Sequence, residues 1–255
     1  MAKAELPKEA KAFLDKYPDT EIVDLLIPDM NGVLRGKQIP VDDIGKMYDP
    51  GISYPGSSSL LDTRGAVIDT VIYGSQDGDP DMVAKAVPGT LTPVPWAPRP
   101  TAQSILSMYT PAGDYYRADT RAVLVRAQDR FKDLGLTPVI AIELEFYLLD
   151  ASTLPPTPAK PPVLYPAMRG AQCYNLDNLY DFEAFLGELD EVCKTQGLPA
   201  ASTLCEYGDG QFEVNLRHRE DPAAACDEAM LLKRTVKGVA RRHGLLASFM
   251  AKPFA

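Results

Sequence analysis

The chain has 255 residues, of which 45% are hydrophobic and 24% are charged, values typical of a folded globular protein and not of a disordered one. Its formal net charge is −9 and no Lys/Arg run interrupts that acidity, which argues against nucleic-acid binding. No apolar run approaches the roughly 20 residues of a membrane helix, and the polar start MAKAELPKEAKAF is unlike a signal peptide. The cysteines form no C-x-x-C pair, which predicts reduced thiols and no zinc or redox motif. Taken together, these features lead us to expect a cytoplasmic protein without membrane attachment.

The first part of the chain is predicted to be rich in β-structure. Residues 7–17 have the composition of a short helix, and residues 21–40 predict two strands joined by a turn at Asp29–Gly32, where Asn-Gly tolerates positive φ. Short apolar runs at 66–73 and 104–110 predict further strands between segments rich in Pro and Gly.

The pattern changes after about residue 115, where helices and strands begin to alternate. Helices are predicted for 119–134, 177–196 and 221–243, the last beginning with the Asp221-Pro222 pair that favours a helix N-terminus. Strands are predicted for 138–149 and for two segments around 200–217. The predicted fold class is therefore α+β, with three parts: an N-terminal helix at 1–18, a small β-rich domain at 19–114 and a second domain at 115–255.

The strand at 138–149 carries two carboxylates on one face. Because strand side chains alternate between faces, Glu143 and Glu145 share a face, about 7 Å apart along it. The opposite face, which includes Leu144 and Phe146, is apolar and predicts a buried side. Carboxylates this close raise each other's pKa unless a cation lies between them, and a divalent cation is the usual solution.

A second segment, CEYGDGQFEVNLR at 205–217, has the same character. Glu206 precedes the turn signal and Glu213 follows it, so a hairpin would bring the two carboxylates near each other. Together with Glu143 and Glu145 they form a candidate metal site of four glutamates. Ligands that are all oxygen suit Mg²⁺ or Mn²⁺ and not zinc or copper.

A plain alternative competes with the metal site. Glutamates on the outer face of an amphipathic strand are often simply solvated, and each strand taken alone favours that interpretation. Glutamate is a poor strand former, however, and its recurrence on two strands weighs the other way. From the residues alone, a solvated face and a metal site stand about level.

These segments resemble the glutamine synthetase family, and the resemblance runs in family order along nearly the whole chain. The matching strings are the E-x-E-F strand IELEFY (142–147), the second metal segment EYGDGQFEVN (206–215), the helix-to-strand stretch ARRHGLLASFMAKPF (240–254), the N-terminal hairpin DMNGVLRGK (29–37) and the later strand GDPDMVAKAVPGT (78–90).

The resemblance implies a fold, a reaction and roles for the glutamates. It implies a β-grasp N-terminal domain followed by the first part of a catalytic α+β domain, assembled as a homo-oligomer of stacked rings. It implies an ATP-dependent ligase that makes γ-glutamyl phosphate from glutamate and lets ammonia or an amine displace the phosphate. By resemblance, Glu145, Glu206 and Glu213 would bind one Mg²⁺ or Mn²⁺, and Glu143 would bind a second near the nucleotide phosphates.

One departure from the family concerns the acceptor. Family members that use ammonia carry Phe-Asp-Gly-Ser-Ser in the first domain, whereas the nearest string here is YPGSS at 54–58, with Pro55 in place of the Asp. That Asp helps to deprotonate ammonium. With WAPRPTAQ at 96–103, this departure resembles the γ-glutamylpolyamine and γ-glutamylamide synthetase branch, and we expect an amine acceptor.

A second departure concerns completeness. The family's Gly-rich glutamate loop with its metal-binding His, its phosphate-binding arginines and its last metal Glu have no match here. The histidines His218 and His243 are expected to be structural, with a nucleotide contact as the alternative for His218. We therefore expect the N-terminal part of a longer product, without turnover by itself. Two other functions stay open: a non-catalytic fragment or pseudoenzyme that binds metal or glutamate and docks onto other subunits, and a structural metal protein.

Overall fold

A computed structural model describes residues 6–68, 76–159 and 173–254 of the chain. The chain folds into two compact units, Met1–Pro138 and Val139–Ala255, each of which combines a sheet with helices, as the predicted α+β class requires. The first unit includes the helix at Thr120–Asp133, which follows the domain boundary predicted at 114/115. That boundary stays a prediction.

The helices are α1 Lys8–Lys16, α2 Thr120–Asp133, α3 Leu176–Asp181, α4 Glu183–Gln196 and α5 Pro222–Arg242. The strands are β1 Ile22–Pro28, β2 Leu34–Pro40, β3 Ile52–Pro55, β4 Asp81–Ala86, β5 Thr92–Pro93, β6 Thr101–Tyr109, β7 Glu143–Asp150, β8 Thr157–Pro158, β9 Ala200–Cys205, β10 Gln211–Leu216 and β11 Leu245–Ser248.

The sheet of the first unit is mixed. Its strand order is β2-β1-β6-β4-β3, with β5 pairing β6; β1 runs parallel to β6, and the other pairs are antiparallel. The apolar run predicted at 104–110 forms most of β6, whereas most of the strand predicted at 66–73 lies outside the described residues. The side chains of its hydrophobic core come from α1, from the 3-10 helix Val41–Met47 and from the central strands.

The hairpin predicted at 21–40 is confirmed. β1 and β2 pair antiparallel, and Gly32 adopts a φ of 68° in the connecting turn. Asp29 stabilises the turn because its buried carboxylate accepts hydrogen bonds of 2.8 Å from the backbone N–H groups of Asn31 and Val33 and one of 2.9 Å from Arg35. The turn is therefore held by a local polar network, as an Asx-type turn is.

Helix α2 is anchored to β6 by its N-cap. The carboxylate of Asp119, which is 2% exposed, accepts from the backbone N–H groups of Arg121 and Ala122 at the first turn of the helix. The same carboxylate accepts from the Ser107 hydroxyl at 2.8 Å and from the backbone N–H of Met108. One buried side chain thus caps a helix and satisfies two groups of the adjacent strand.

Replacing Asp119 with Ala is expected to lower the free energy of unfolding by about 3 kcal/mol. The loss of a cap costs about 1 kcal/mol, and each buried donor left without a partner costs about 1–3 kcal/mol. Asp129→Ala is the matched control on the same helix, since its exposed carboxylate contacts only Lys132 and its loss should cost under about 0.5 kcal/mol. Urea unfolding of both variants measures this, and equal small losses would contradict the anchoring role.

The sheet of the second unit is antiparallel and has one apolar face. Its strand order is β11-β7-β10-β9, with β8 pairing β7. The fully buried ring of Phe146 lies with its centroid 6.1 Å from that of Phe185 on α4 and 6.2 Å from that of Phe212 on β10. Burial of this face against α4 and α5 fixes which side chains of β7 and β10 point the other way.

Two predictions for this unit differ in detail from the structure. The strand predicted at 138–149 is regular only from Glu143, and the segment before it forms an isolated bridge between Ile140 and Arg219. The helix predicted at 177–196 is two helices, α3 and α4, separated at Phe182. The backbone of Phe182 departs from helical geometry (φ −111°, ψ 17°). Its buried ring lies with its centroid 5.0 Å from that of Phe212, so core packing outweighs helix continuity.

Helix α5 follows its prediction closely. Asp221 caps it by accepting from the backbone N–H of Ala224, Pro222 occupies the first turn, and Gly244 follows with a φ of 69°.

The four cysteines are free thiols. Within the described ranges, no helix combines the length and apolar character that crossing a bilayer requires.

Candidate active site

The four predicted glutamates lie in the sheet of the second unit, and the register of β7 and β10 brings two of them face to face. Glu145 pairs directly with Glu213 across the antiparallel ladder, and Glu143 pairs with Asn215. Glu206 lies just beyond β9, where its backbone N–H donates to the carbonyl oxygen of Gln211 at 3.0 Å. We call the side of the sheet that bears Glu143, Glu145, Glu206 and Glu213 the carboxylate face.

Glu213 is the buried member of the carboxylate face. Its side chain is 8% exposed, whereas Glu143 and Glu145 are exposed and Glu206 is half-buried. Burial raises the pKa of Glu213 above its ordinary value of 4.5, and the negative charges of the other three glutamates raise it further, against a lowering hydrogen bond from Asn215. A buried carboxylate next to three others is a place where a cation stabilises the folded chain.

The charges of the carboxylate face also raise the pKa values of two tyrosines. Burial first, and then the charges of Glu145 and Glu206, raise the pKa of the Tyr147 phenol. The neighbouring Cys173 and then Glu206 raise the pKa of the Tyr174 phenol. Tyr174 has a φ of 63°, and its backbone N–H donates to the carbonyl oxygen of Cys205 at 3.0 Å. Both phenols therefore lie near the carboxylate face.

Two amide side chains hold carboxylates of this face. Gln211 donates from Nε2 to Glu145 Oε2 at 2.7 Å, and Asn215 donates from Nδ2 to Glu213 Oε1 at 2.8 Å. The sequence alone gave Gln211 and Asn215 no role. The signal was available, because an amide at every second position beside a glutamate is a donor that can orient it.

The carboxylates do not converge on a point. Across the described part of the chain, no three acidic, cysteine or histidine side chains are arranged as a group that could hold a metal ion. Glu145 and Glu213 instead bond to amide donors. The donor set itself fits a hard divalent cation, because all four groups are carboxylates and the buried one lies opposite another carboxylate. Binding would require rotation of these side chains towards a shared cation.

The two histidines and the YPGSS segment lie in different surroundings. His243 ends α5, and its Nε2 lies 2.8 Å from Glu188 Oε2, while His218 is exposed. In the first unit, Tyr54 and Pro55 end β3, and a short 3-10 turn follows at Gly56–Ser59. The backbone N–H and the hydroxyl of Ser57 in this turn donate to Asp79 at 2.8 and 2.7 Å.

Known proteins are similar to this chain along nearly its whole length. The gamma-glutamylputrescine synthetase PuuA of Escherichia coli is 38% identical over 97% of this chain and 53% of its own length. A glutamate–isopropylamine ligase of a Pseudomonas species is 27% identical over 97% of this chain and 54% of its own. The solved structure of a GmaS/ADP complex superposes with a TM-score of 0.77 at 25% identity, covering 97% of this chain and 52% of that one.

The chain spans about half the length of the relatives it matches. The family model described as "Glutamine synthetase, catalytic domain" matches residues 117–255, a range that contains all four glutamates of the carboxylate face. This chain therefore belongs to the glutamine synthetase family.

Proposed function

We propose that this chain is part of a ligase that joins the γ-carboxylate of glutamate to an amine or ammonia, using ATP and Mg²⁺ or Mn²⁺. One observation carries the proposal, namely the direct pairing of Glu145 with Glu213 on a face whose other two glutamates raise the pKa of Glu213. The similarity to a γ-glutamylputrescine synthetase and a glutamate–isopropylamine ligase supports the reaction class.

The proposed reaction has two steps that each bring negative charges together. First, an oxygen of the γ-carboxylate bonds to the γ-phosphorus of ATP, and the bond from that phosphorus to the bridging oxygen breaks to release ADP. Then the amine nitrogen bonds to the γ-carbonyl carbon of γ-glutamyl phosphate, phosphate leaves, and the nitrogen loses a proton. Divalent cations, when bound, neutralise the phosphate charge and align the reacting groups.

The carboxylate face supplies the residues for that role. Glu145, Glu206 and Glu213 would hold one cation, and Glu143 would contribute to a second near the nucleotide phosphates. Because Glu145 and Glu213 are hydrogen-bonded to Gln211 and Asn215, each has one oxygen committed to an amide and the other free of that bond. Rotation of these side chains towards a shared cation would relieve the repulsion between facing carboxylates.

The acceptor is proposed to be an amine. Pro55 has no side-chain carboxylate with which to deprotonate ammonium, and the hydroxyl of Ser57 in the same segment already donates to Asp79. Both named ligases above act, by their names, on amines. A rate with ammonia that equals or exceeds the rate with every amine tested would overturn this part of the proposal.

The test is ADP release with Mg²⁺ or Mn²⁺, ATP, glutamate and a panel of ammonia, isopropylamine and putrescine. We expect no turnover by these 255 residues alone, because they span about half of their relatives. We expect amine-dependent turnover by a fusion in which they replace the matching half of the putrescine relative. Glu145→Gln in the fusion should abolish that turnover, and an unchanged rate in that variant would contradict the proposed site.

Two further expectations accompany the ligase. The assembly is proposed to be a homo-oligomer of stacked rings in the cytoplasm, which sedimentation of the fusion would test. A non-catalytic metal- or glutamate-binding fragment is the competing function, and it predicts cation binding without turnover by either the chain or the fusion.

A further inference from the structure

Gln211 is a buried amide on the carboxylate face. It is the first residue of β10 and pairs with Tyr147 on β7, two residues along the strands from the Glu145–Glu213 pair and on the same face. Although Glu145 is exposed, Gln211 is 8% exposed, so its amide must be satisfied by the protein. A buried amide beside several carboxylates is placed to act on its neighbours.

Both ends of that amide are hydrogen-bonded. Nε2 donates to Glu145 Oε2 at 2.7 Å, and Oε1 accepts from the backbone N–H of Gly208 at 2.9 Å. One side chain therefore connects the turn between β9 and β10 with a carboxylate on β7. A hydrogen bond to an ionised carboxylate is shorter and stronger than one between neutral groups.

The turn is built around this amide. The backbone N–H of Gln211 donates to the Gly208 carbonyl oxygen, and that of Glu206 donates to the Gln211 carbonyl oxygen, both at 3.0 Å. A Cβ at position 208 would lie 2.8 Å from Gln211 Oε1 and 2.8 Å from a ring carbon of Tyr147. A Cβ at position 208 would therefore displace the Gln211 amide or the Tyr147 ring. Gln211 thus hydrogen-bonds both the Glu206 backbone and the Glu145 carboxylate.

A neutral amide has a property that a cationic donor lacks. It fixes one oxygen of Glu145 without cancelling the negative charge that attracts a cation, and it leaves Oε1 to bind. A Lys or Arg in its place would compete with the metal. Residues that orient metal ligands through hydrogen bonds typically change metal affinity by about 10–100-fold when they are replaced.

We propose that Gln211 is a positioning residue that orients Glu145 and the Glu206 turn for cation binding. The inference rests on the proposed function, since it assumes that the carboxylate face binds a divalent cation. It adds a residue that touches no substrate and acts through Glu145.

The test compares Mn²⁺ affinity with stability in the full 255-residue chain. Gln211→Met keeps the side-chain length and removes the donor, and it is expected to weaken Mn²⁺ binding about 10–100-fold, as measured from the electron paramagnetic resonance signal of free Mn²⁺. Gln38→Met is the matched control, because Gln38 Nε2 donates to Asp24 Oδ1 at 2.8 Å in the first unit, and it should leave Mn²⁺ binding unchanged. Thermal unfolding in EDTA checks that both variants fold.

A second variant keeps the inference testable if Gln211→Met does not fold. Gly208→Ala retains Gln211 but displaces its amide, and it should weaken Mn²⁺ binding in the same range. Unchanged affinity in a folded Gln211→Met or Gly208→Ala chain, with binding lost in Glu145→Gln, would overturn the positioning role and leave the metal site standing. Binding that survives Glu145→Gln would overturn the metal site, and the positioning role with it.

Discussion

Replacing Glu213 with Gln is expected to weaken Mn²⁺ binding by about 100-fold or more and, at the same time, to stabilise the metal-free chain. The loss of binding follows from removing a buried unit charge beside a divalent ion, where screening by water is weak. The gain in stability follows because Glu213 faces Glu145 across the ladder, and removal of a like charge directly opposite is worth about 0.2–1 kcal/mol. Replacement of a glutamate with only a structural role would not weaken Mn²⁺ binding and stabilise the metal-free chain together.

The same variant should change how stability depends on pH. The pKa of Glu213 in the folded chain is raised from 4.5, chiefly by burial, so the folded state binds its proton more tightly than the unfolded state does. The contribution of Glu213 to stability is therefore full below pH 4.5 and is lost as pH rises through the raised value. Gln has no proton to lose, so the advantage of Glu213→Gln should grow across that window.

Urea unfolding in EDTA between pH 4 and pH 8, with Mn²⁺ titration at pH 7, measures both effects. Glu191→Gln is the matched control, because Glu191 is an exposed glutamate on α4 that pairs with Lys194, and it should leave Mn²⁺ affinity unchanged. A destabilised Glu213→Gln chain with unaltered Mn²⁺ affinity would show that Glu213 is an ordinary buried hydrogen-bonding group.

Replacing Phe146 with Ala is expected to lower the free energy of unfolding by about 3–5 kcal/mol, the usual cost of truncating a buried phenylalanine. The ring is fully buried and lies within 6.2 Å, centroid to centroid, of the rings of Phe185, Phe212 and Phe249. A cavity there would loosen the apolar support of the strand that carries Glu145. Phe146→Leu should cost much less, because it leaves a smaller cavity.

Phe131→Ala is the control for the loss of a phenyl ring as such. Phe131 on α2 is 44% exposed, so its truncation should cost under about 1 kcal/mol. Chemical unfolding followed by tyrosine fluorescence gives both values. Similar losses in the two alanine variants would mean that Phe146 is not central to the core.

Several features follow from the sequence because they depend on neighbours in the chain. The alternation of Leu144, Glu145 and Phe146 predicts which side chains share a face, and Phe146 is buried as that pattern requires. Asp119 and Asp221 cap the helices that they were predicted to begin, because an N-cap acts on residues two or three positions away. The turn at Asp29–Gly32 is equally local.

Other features depend on residues far apart in the chain and needed the fold. Phe182 interrupts a helix whose sequence is continuous, since its ring packs against Phe212, thirty positions away. The amide of Gln211 reaches Glu145 on another strand, which no spacing within one segment could indicate.

By itself, the sequence determined the α+β class, the starts of the helices capped by Asp119 and Asp221, and the identity of four candidate glutamates, because periodicity and capping are local properties. Only the tertiary structure decided that Glu145 lies opposite Glu213, that Glu213 is the buried member of the four, and that Gln211 joins the turn to Glu145. The reason is physical: strand register and burial are set by packing the whole sheet against its helices, and a shift of one residue would turn every one of these side chains to the other face.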